Sequence, residues 1–252
     1  MLEDFRIQIY ADGARYEDIE VLAHLRDADS GEAIVRGFTT NPSLMARAGV
    51  SDYRAFARSV LDLADGRPVS FEVLADDVDG ILRQAEEIAS WSPNAWVKIP
   101  IVNTRGAYNV DVLGSLIARG INVNVTAVFT AGQLHDISSA LASGANAAGT
   151  AERIIISVFA GRVADAGRSP LNAVIDCVEV LGNWDLLDAS VLWASPRQVY
   201  DVVLAEQSGC DIITLPPDLI AKLHLFGKDL NEFSRETVQM FDGDARASGI
   251  TL

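Results

Sequence analysis

Lysine is scarce in this chain: Lys98, Lys222 and Lys228 are the only three, although basic residues number 20. Lys98 is the unusual one, because it lies inside the apolar run AWVKIPI. On a strand buried in a parallel sheet its ammonium would sit in a low-dielectric setting, which disfavours the charge. A neutral amine so placed is nucleophilic near neutral pH and suited to Schiff-base formation with a ketone. The competing reading is that Lys98 pairs with a buried carboxylate and only completes a polar layer. Because burying an unpaired ammonium is costly, a chain that keeps one in a strand is expected to use it.

Other polar residues fall at the ends of apolar runs. Asp12 follows the first run, Thr39 and Asn41 follow the second, Glu72 ends the third, and Asn124 and Thr126 lie in the fifth. Two-residue spacing puts Ser70 with Glu72, and Asn124 with Thr126, on one face of their strands. Together they would bring two carboxylates, two amides and a lysine to one rim, where carboxylates in unlike surroundings can divide acid and base work. Each also has a plainer reading: Asp12 could open a turn with Gly13, Asn41 could cap a helix starting at Pro42, and Thr126 could be an ordinary β-branched strand residue. Arg162, in SVFAGR, is a candidate guanidinium fork for phosphate, with Ser157 as a nearby hydroxyl donor; the alternative is a surface salt bridge. Trp193 either walls a pocket or packs under a helix.

The elements that must position these groups follow from periodicity. Short apolar runs alternate with longer amphipathic stretches from end to end, which is the rhythm of βα units. Strands are expected at Arg6–Tyr10, Ala33–Thr39, Val69–Leu74, Ala95–Ile101, Ile121–Val128, Arg153–Phe159, Leu186–Leu192 and Asp211–Leu215. Helical patterns lie strictly between them, including one from Asp76 and one from Ser195, where Ser195 would be the N-cap, Pro196 the first helical residue and Gly209 the stop. A chain of 252 residues matches the usual size of about 250 for one α/β barrel. A (β/α)8 TIM barrel spanning residues 1–252 as a single domain is therefore expected. No GxGxxG follows the first strand, which disfavours an open dinucleotide-binding sheet. An extra C-terminal helix is expected from Leu230, able to close over a rim or reach a second subunit.

Composition narrows the function classes. The net charge of −15 leaves no basic stripe for nucleic acid, although local donors can still hold one phosphate. No apolar stretch is long enough to span a membrane, and Cys177 and Cys210 have no CxxC spacing, so a reduced cytoplasmic setting is expected. His24, His135 and His224 have no metal-binding spacing, so no metal is expected; nor would Schiff-base chemistry need a cofactor, because a protonated imine is its own electron sink. No GxSxG supports a serine hydrolase.

The segments IYAD, FTTNPSL, SFEV, WVKIP, NVTAVFT, SVFAGR and GCDIITLPPDL occur in this order across nearly the whole chain. In these the chain resembles the transaldolases and the related fructose-6-phosphate aldolases. The resemblance implies that Lys98 is the Schiff-base lysine and Asp12 the acid/base acting on a sugar hydroxyl. Thr39, Asn41 and Asn124 would hold substrate, and Thr126 would place a catalytic water. Glu72 resembles the transaldolase branch, whereas the aldolase branch carries glutamine there. Strand seven departs from the family, which commonly presents serine, an aromatic and a basic residue near a phosphate. Here the run is ASVLWASPR, so that Ser190 would be that serine or the register is shifted toward Trp193. Phosphate would then rest on Arg162 and Arg197.

The resemblance thus implies transfer of a dihydroxyacetone unit from a ketose or its phosphate to an aldose. Its alternatives are aldol cleavage releasing dihydroxyacetone, a specialised sugar-building transaldolase outside central carbohydrate metabolism, and a non-catalytic barrel that binds sugar phosphates. Small sugar phosphates are the expected partners, together with association into a homo-oligomer.

Overall fold

The structure, a computed structural model, describes residues 5–28, 30–148, 153–183 and 188–249. Strands β1 (Gln8–Asp12), β2 (Val35–Thr39), β3 (Val69–Glu72), β4 (Ala95–Pro100), β5 (Val123–Val128), β6 (Arg153–Val158), β7 (Asp188–Trp193) and β8 (Ile212–Leu215) pair in parallel and in sequence order, and β8 closes onto β1. The fold is a TIM barrel, not an open doubly wound sheet. Helices α1 (Tyr16–His24), α2 (Pro42–Arg47), α3 (Tyr53–Ala64), α4 (Val78–Trp91), α5 (Val110–Ala118), α6 (Ala131–Ala148), α7 (Ala160–Asp165), α8 (Pro170–Leu181) and α9 (Asp201–Ser208) lie between strands, and α10 (Pro217–Ile220) and α11 (Leu230–Ser248) follow β8.

Two sequence expectations change here, and a third cannot be compared. Alternation is not one to one, because two helices separate β2 from β3 and two separate β6 from β7. Leu186 and its successor, where the seventh strand was expected to begin, lie outside the described residues, and β7 starts at Asp188. The helix expected from Ser195 begins at Asp201. Ser195 adopts φ 64°, a left-handed turn unlike the extended backbone of an N-cap. The Asp201 carboxylate instead accepts the main-chain N–H of Arg197 at 2.6 Å. Gly209 does stop α9, at φ 75°.

Strand alternation divides the core. Outward residues such as Ile99, Val125, Ile156 and Trp193 pack with the helices, while Tyr10, Trp96, Ile155, Leu192, Ala194 and Ile212 form a separate cluster inside the barrel. Trp193 therefore packs under the helical layer. Gly37 makes room inside, since a Cβ there would lie 2.6 Å from the Tyr10 ring. With Tyr10 and Trp96 filling the lower barrel, polar side chains occupy the layers toward the carboxyl ends of the strands.

Candidate active site

Parallel register lines up the polar residues side by side. Asp12 is opposite Thr39, Thr39 opposite Ser70, Glu72 opposite Lys98, Lys98 opposite Asn124, and Pro100 opposite Thr126. They converge at the carboxyl-terminal mouth, around a cavity of about 920 Å3 lined by Asp12, Thr39, Asn41, Glu72, Lys98 and Thr126, and across from them by Ser157 and Arg162. Asp12 is the last residue of β1 and does not follow it. A second cavity, of about 610 Å3, opens at the opposite end of the barrel beside Phe5, Arg6 and Arg36, away from all of these groups.

Lys98 is 6% exposed, and its Nζ donates to the Thr40 carbonyl at 3.1 Å and lies 3.3 Å from Glu72 Oε2. The carboxylate pairing envisaged as the plainer reading is thus present, but at the floor of an open cavity and not inside a sealed layer. Burial pushes the Glu72 carboxyl above its ordinary range, opposed by Lys98 and reinforced by Asp12. A carboxylate so biased, in direct contact with an amine, can take a proton from it and return it. Asp12 is likewise raised by burial; Lys98, the Thr39 hydroxyl and Arg47 pull the other way.

A hydroxyl relay fixes Asp12. Thr214 Oγ1 lies 2.5 Å from Thr39 Oγ1, which donates to Asp12 Oδ1 at 2.8 Å. Asn41 caps α2 by accepting the Leu44 N–H through Oδ1 at 2.9 Å, and the residue also lines the cavity. Thr126 Oγ1 is buried without a hydrogen-bond partner among the described residues. An unmet hydroxyl at the cavity wall is costly unless solvent or substrate meets it. The strand is irregular just beyond it, where Ala127 takes φ 58° and the register to β6 shifts.

Two expected site residues lie below the mouth. Asn124 is fully buried, donating from Nδ2 to Ser70 Oγ at 3.0 Å and accepting at Oδ1 from Ser157 Oγ at 2.7 Å. Ser157 does line the cavity, but its hydroxyl hydrogen is engaged by Asn124 and cannot also go to a phosphate. Ser190 is opposite Ile155, two residues below Leu192, and does not reach the cavity. Leu192 and Ala194 present that face of β7 at the cavity instead. Arg162 reaches the mouth with its guanidinium 5.7 Å from the Phe159 ring centre and forms no ion pair among the described residues.

A profile of the Transaldolase/Fructose-6-phosphate aldolase family matches residues 9–251. The chain belongs to this family. Its relatives include a probable transaldolase of Dehalococcoides mccartyi, 31% identical over 217 residues that cover 86% of this chain and 90% of the relative. A probable transaldolase of a Roseiflexus species is 35% identical over 210 residues, covering 83% of this chain and 86% of the relative. Among solved structures, the tetrameric deoxyribose phosphate aldolase from Aeropyrum pernix superposes with a TM-score of 0.56 at 15% identity, covering 90% of this chain and 93% of that one. At that identity the likeness speaks to the barrel alone. As a member of the transaldolase/fructose-6-phosphate aldolase family, the protein is an aldolase-type enzyme. No helix among the described residues is long and apolar enough to cross a membrane.

Thr214, Arg47, Leu192 and Ala194 line the cavity but were not singled out as site residues from the sequence. Thr214 carries a signal in the even spacing of IITL, which puts it on the same face as Ile212. Arg47 follows TTNPSL by three residues, and nothing in its spacing marks it as a mouth residue.

Proposed function

We propose that the enzyme transfers a dihydroxyacetone unit from a ketose or ketose phosphate to an aldose through a Schiff base on Lys98, in one barrel domain and without a cofactor. The observation that carries this reading is the buried Lys98 Nζ, 3.3 Å from Glu72 at the floor of a cavity that also presents Asp12. Lys98 attacks the C2 carbonyl as Glu72 accepts its proton. The carbinolamine then loses its hydroxyl as water, with Glu72 returning the proton through a solvent molecule held on Thr126 Oγ1. Asp12 takes the C4 hydroxyl proton, the C3–C4 bond breaks, and an aldose leaves. The electron pair of that bond is delocalised into the iminium, so the protonated imine is the electron sink.

An acceptor aldehyde enters and the steps reverse. Thr39 holds Asp12 in place, Asn41 Nδ2 donates to a retained substrate hydroxyl, and Asn124 acts as a positioning residue from below. Arg162 meets the far end of the sugar. Intact and peptide mass spectrometry after incubation with fructose 6-phosphate and borohydride tests the scheme. A three-carbon adduct on Lys98 is expected. A panel of ketoses that leaves Lys98 unlabelled would overturn the reading. Dihydroxyacetone released equally fast with and without an acceptor would reassign the enzyme to aldol cleavage.

A further inference from the structure

We propose that the far end of the cavity accepts a substrate tail carrying a single negative charge, and that Asp165 sets this limit. The proposal rests on the transfer reading in one respect: a ketose held through C2 at Lys98 extends toward β6 and β7, where the cavity remains open.

The donors there are few. Leu192 and Ala194 present no polar side-chain atom, and the Ser157 hydroxyl hydrogen is engaged by Asn124. The Ser195 side chain and two guanidiniums remain, and only the guanidiniums carry charge; those two differ. Arg197 is gripped by Asp165, with Nε 3.0 and 3.1 Å from the two carboxylate oxygens and Nη2 also paired to it. Arg162 has no ion pair among the described residues, yet it too lies in the field of Asp165. The Arg197 hydrogen bond holds the Asp165 carboxyl below its ordinary range, so the rim carries two positive charges and one fixed negative charge near neutral pH.

The protein has therefore installed one anion of its own where a ligand's anion would bind. The remaining positive charge matches a carboxylate, which a guanidinium holds through two parallel hydrogen bonds. A phosphomonoester carries about 1.5 to 2 negative charges near neutral pH, and its excess charge would face Asp165. Asp165 is exposed, so replacing it leaves the core undisturbed.

Titration calorimetry with three ketoses sharing one carbon skeleton tests the idea: fructose, D-fructuronate with a carboxylate at C6, and fructose 6-phosphate. The expected order with Asp165 in place is D-fructuronate tightest, exceeding fructose 6-phosphate by at least about tenfold, the size of one charge-assisted contact. Asp165→Asn is expected to reverse that order by tightening fructose 6-phosphate more than D-fructuronate, while fructose is unchanged. Tighter binding of fructose 6-phosphate with Asp165 in place, or an order unchanged by Asp165→Asn, would overturn the proposal. Both proteins are titrated in a Lys98→Met background, so that affinity is read without turnover, and failure of the transfer reading shows separately, as absence of a Lys98 adduct when dihydroxyacetone, which has no tail, is reduced with borohydride on the protein that keeps the lysine.

Discussion

The two sides of the mouth are built differently. From β1 to β5 the functional groups are buried or half-buried and mutually bonded: Lys98 to Glu72 and Thr40, Asp12 to Thr39, and Thr39 to Thr214 of β8. From β6 to β7 the rim is exposed, with an arginine paired to Asp165, a second arginine stacked on Phe159, and apolar Leu192 and Ala194 between them. The buried side can tune proton affinities because it excludes water, whereas the exposed side is screened and acts by shape and charge count. Bond-making chemistry requires the first setting. Discrimination among sugar tails can be carried out in the second, where substitutions do not disturb the reacting atoms.

Four substitutions would break or sharpen this contrast. Lys98→Met is expected to abolish turnover and borohydride labelling while leaving a cooperative thermal transition, and residual transfer above background would refute the role of Lys98. Glu72→Gln is expected to lower kcat by about 10² to 10⁴-fold, the usual worth of a positioned acid or base, and to spare cleavage more than transfer. An equal fall in both rates would remove the role given to Glu72.

Gly161→Ala addresses the exposed side. A Cβ at 161 would lie 1.5 Å from the Ser195 carbonyl oxygen, so α7 and the segment after β7 must part, at a cost of about 1–3 kcal/mol or more. Because Arg162 and Arg197 ride on those two segments, KM for ketoses should rise while labelling of Lys98 by dihydroxyacetone persists. Loss of both would show that the two sides are not separable.

The smallest effect concerns stability. Half-buried Asp12, desolvated in the field of Lys98, Arg47 and the Glu72 carboxylate, keeps its proton to higher pH than it would in the unfolded chain. Between those two pKa values the native state binds more protons, so stability declines as pH rises through the native value. Asp12→Asn should therefore raise the melting temperature at pH 8 by a few degrees, about 2–4 °C per kcal/mol for a chain of this size. The advantage should vanish on acidification below the ordinary carboxylate range. A melting temperature at pH 8 equal to or below that of the unaltered enzyme would show that Asp12 is not destabilised by burial.

Much of the barrel was legible because parallel strands covered on both faces become apolar runs, and helix patterns between them repeat with the same period. The buried side of the site was legible for a related reason. A lysine, a glutamate or a paired asparagine and threonine stands out against an apolar strand, and two-residue spacing tells which face it takes. The exposed side offered no such contrast. The run ASVLWASPR does not reveal by itself where strand gives way to turn, and the helix expected at Ser195 fails because the Ser195 backbone turns left-handed against Gly161.

Local sequence thus determined which residues enter strands and which strand face carries polar groups, since backbone alternation and the cost of burial act within a few residues. Only the closed barrel decided which of those faces meet. Whether the Ser157 hydroxyl is free, whether Arg197 is available, and whether Ser190 or Leu192 reaches the mouth depend on hydrogen bonds and registers between segments about 30 residues apart or more. Those partners are chosen by strand register and by the approach of neighbouring loops, which no local pattern encodes.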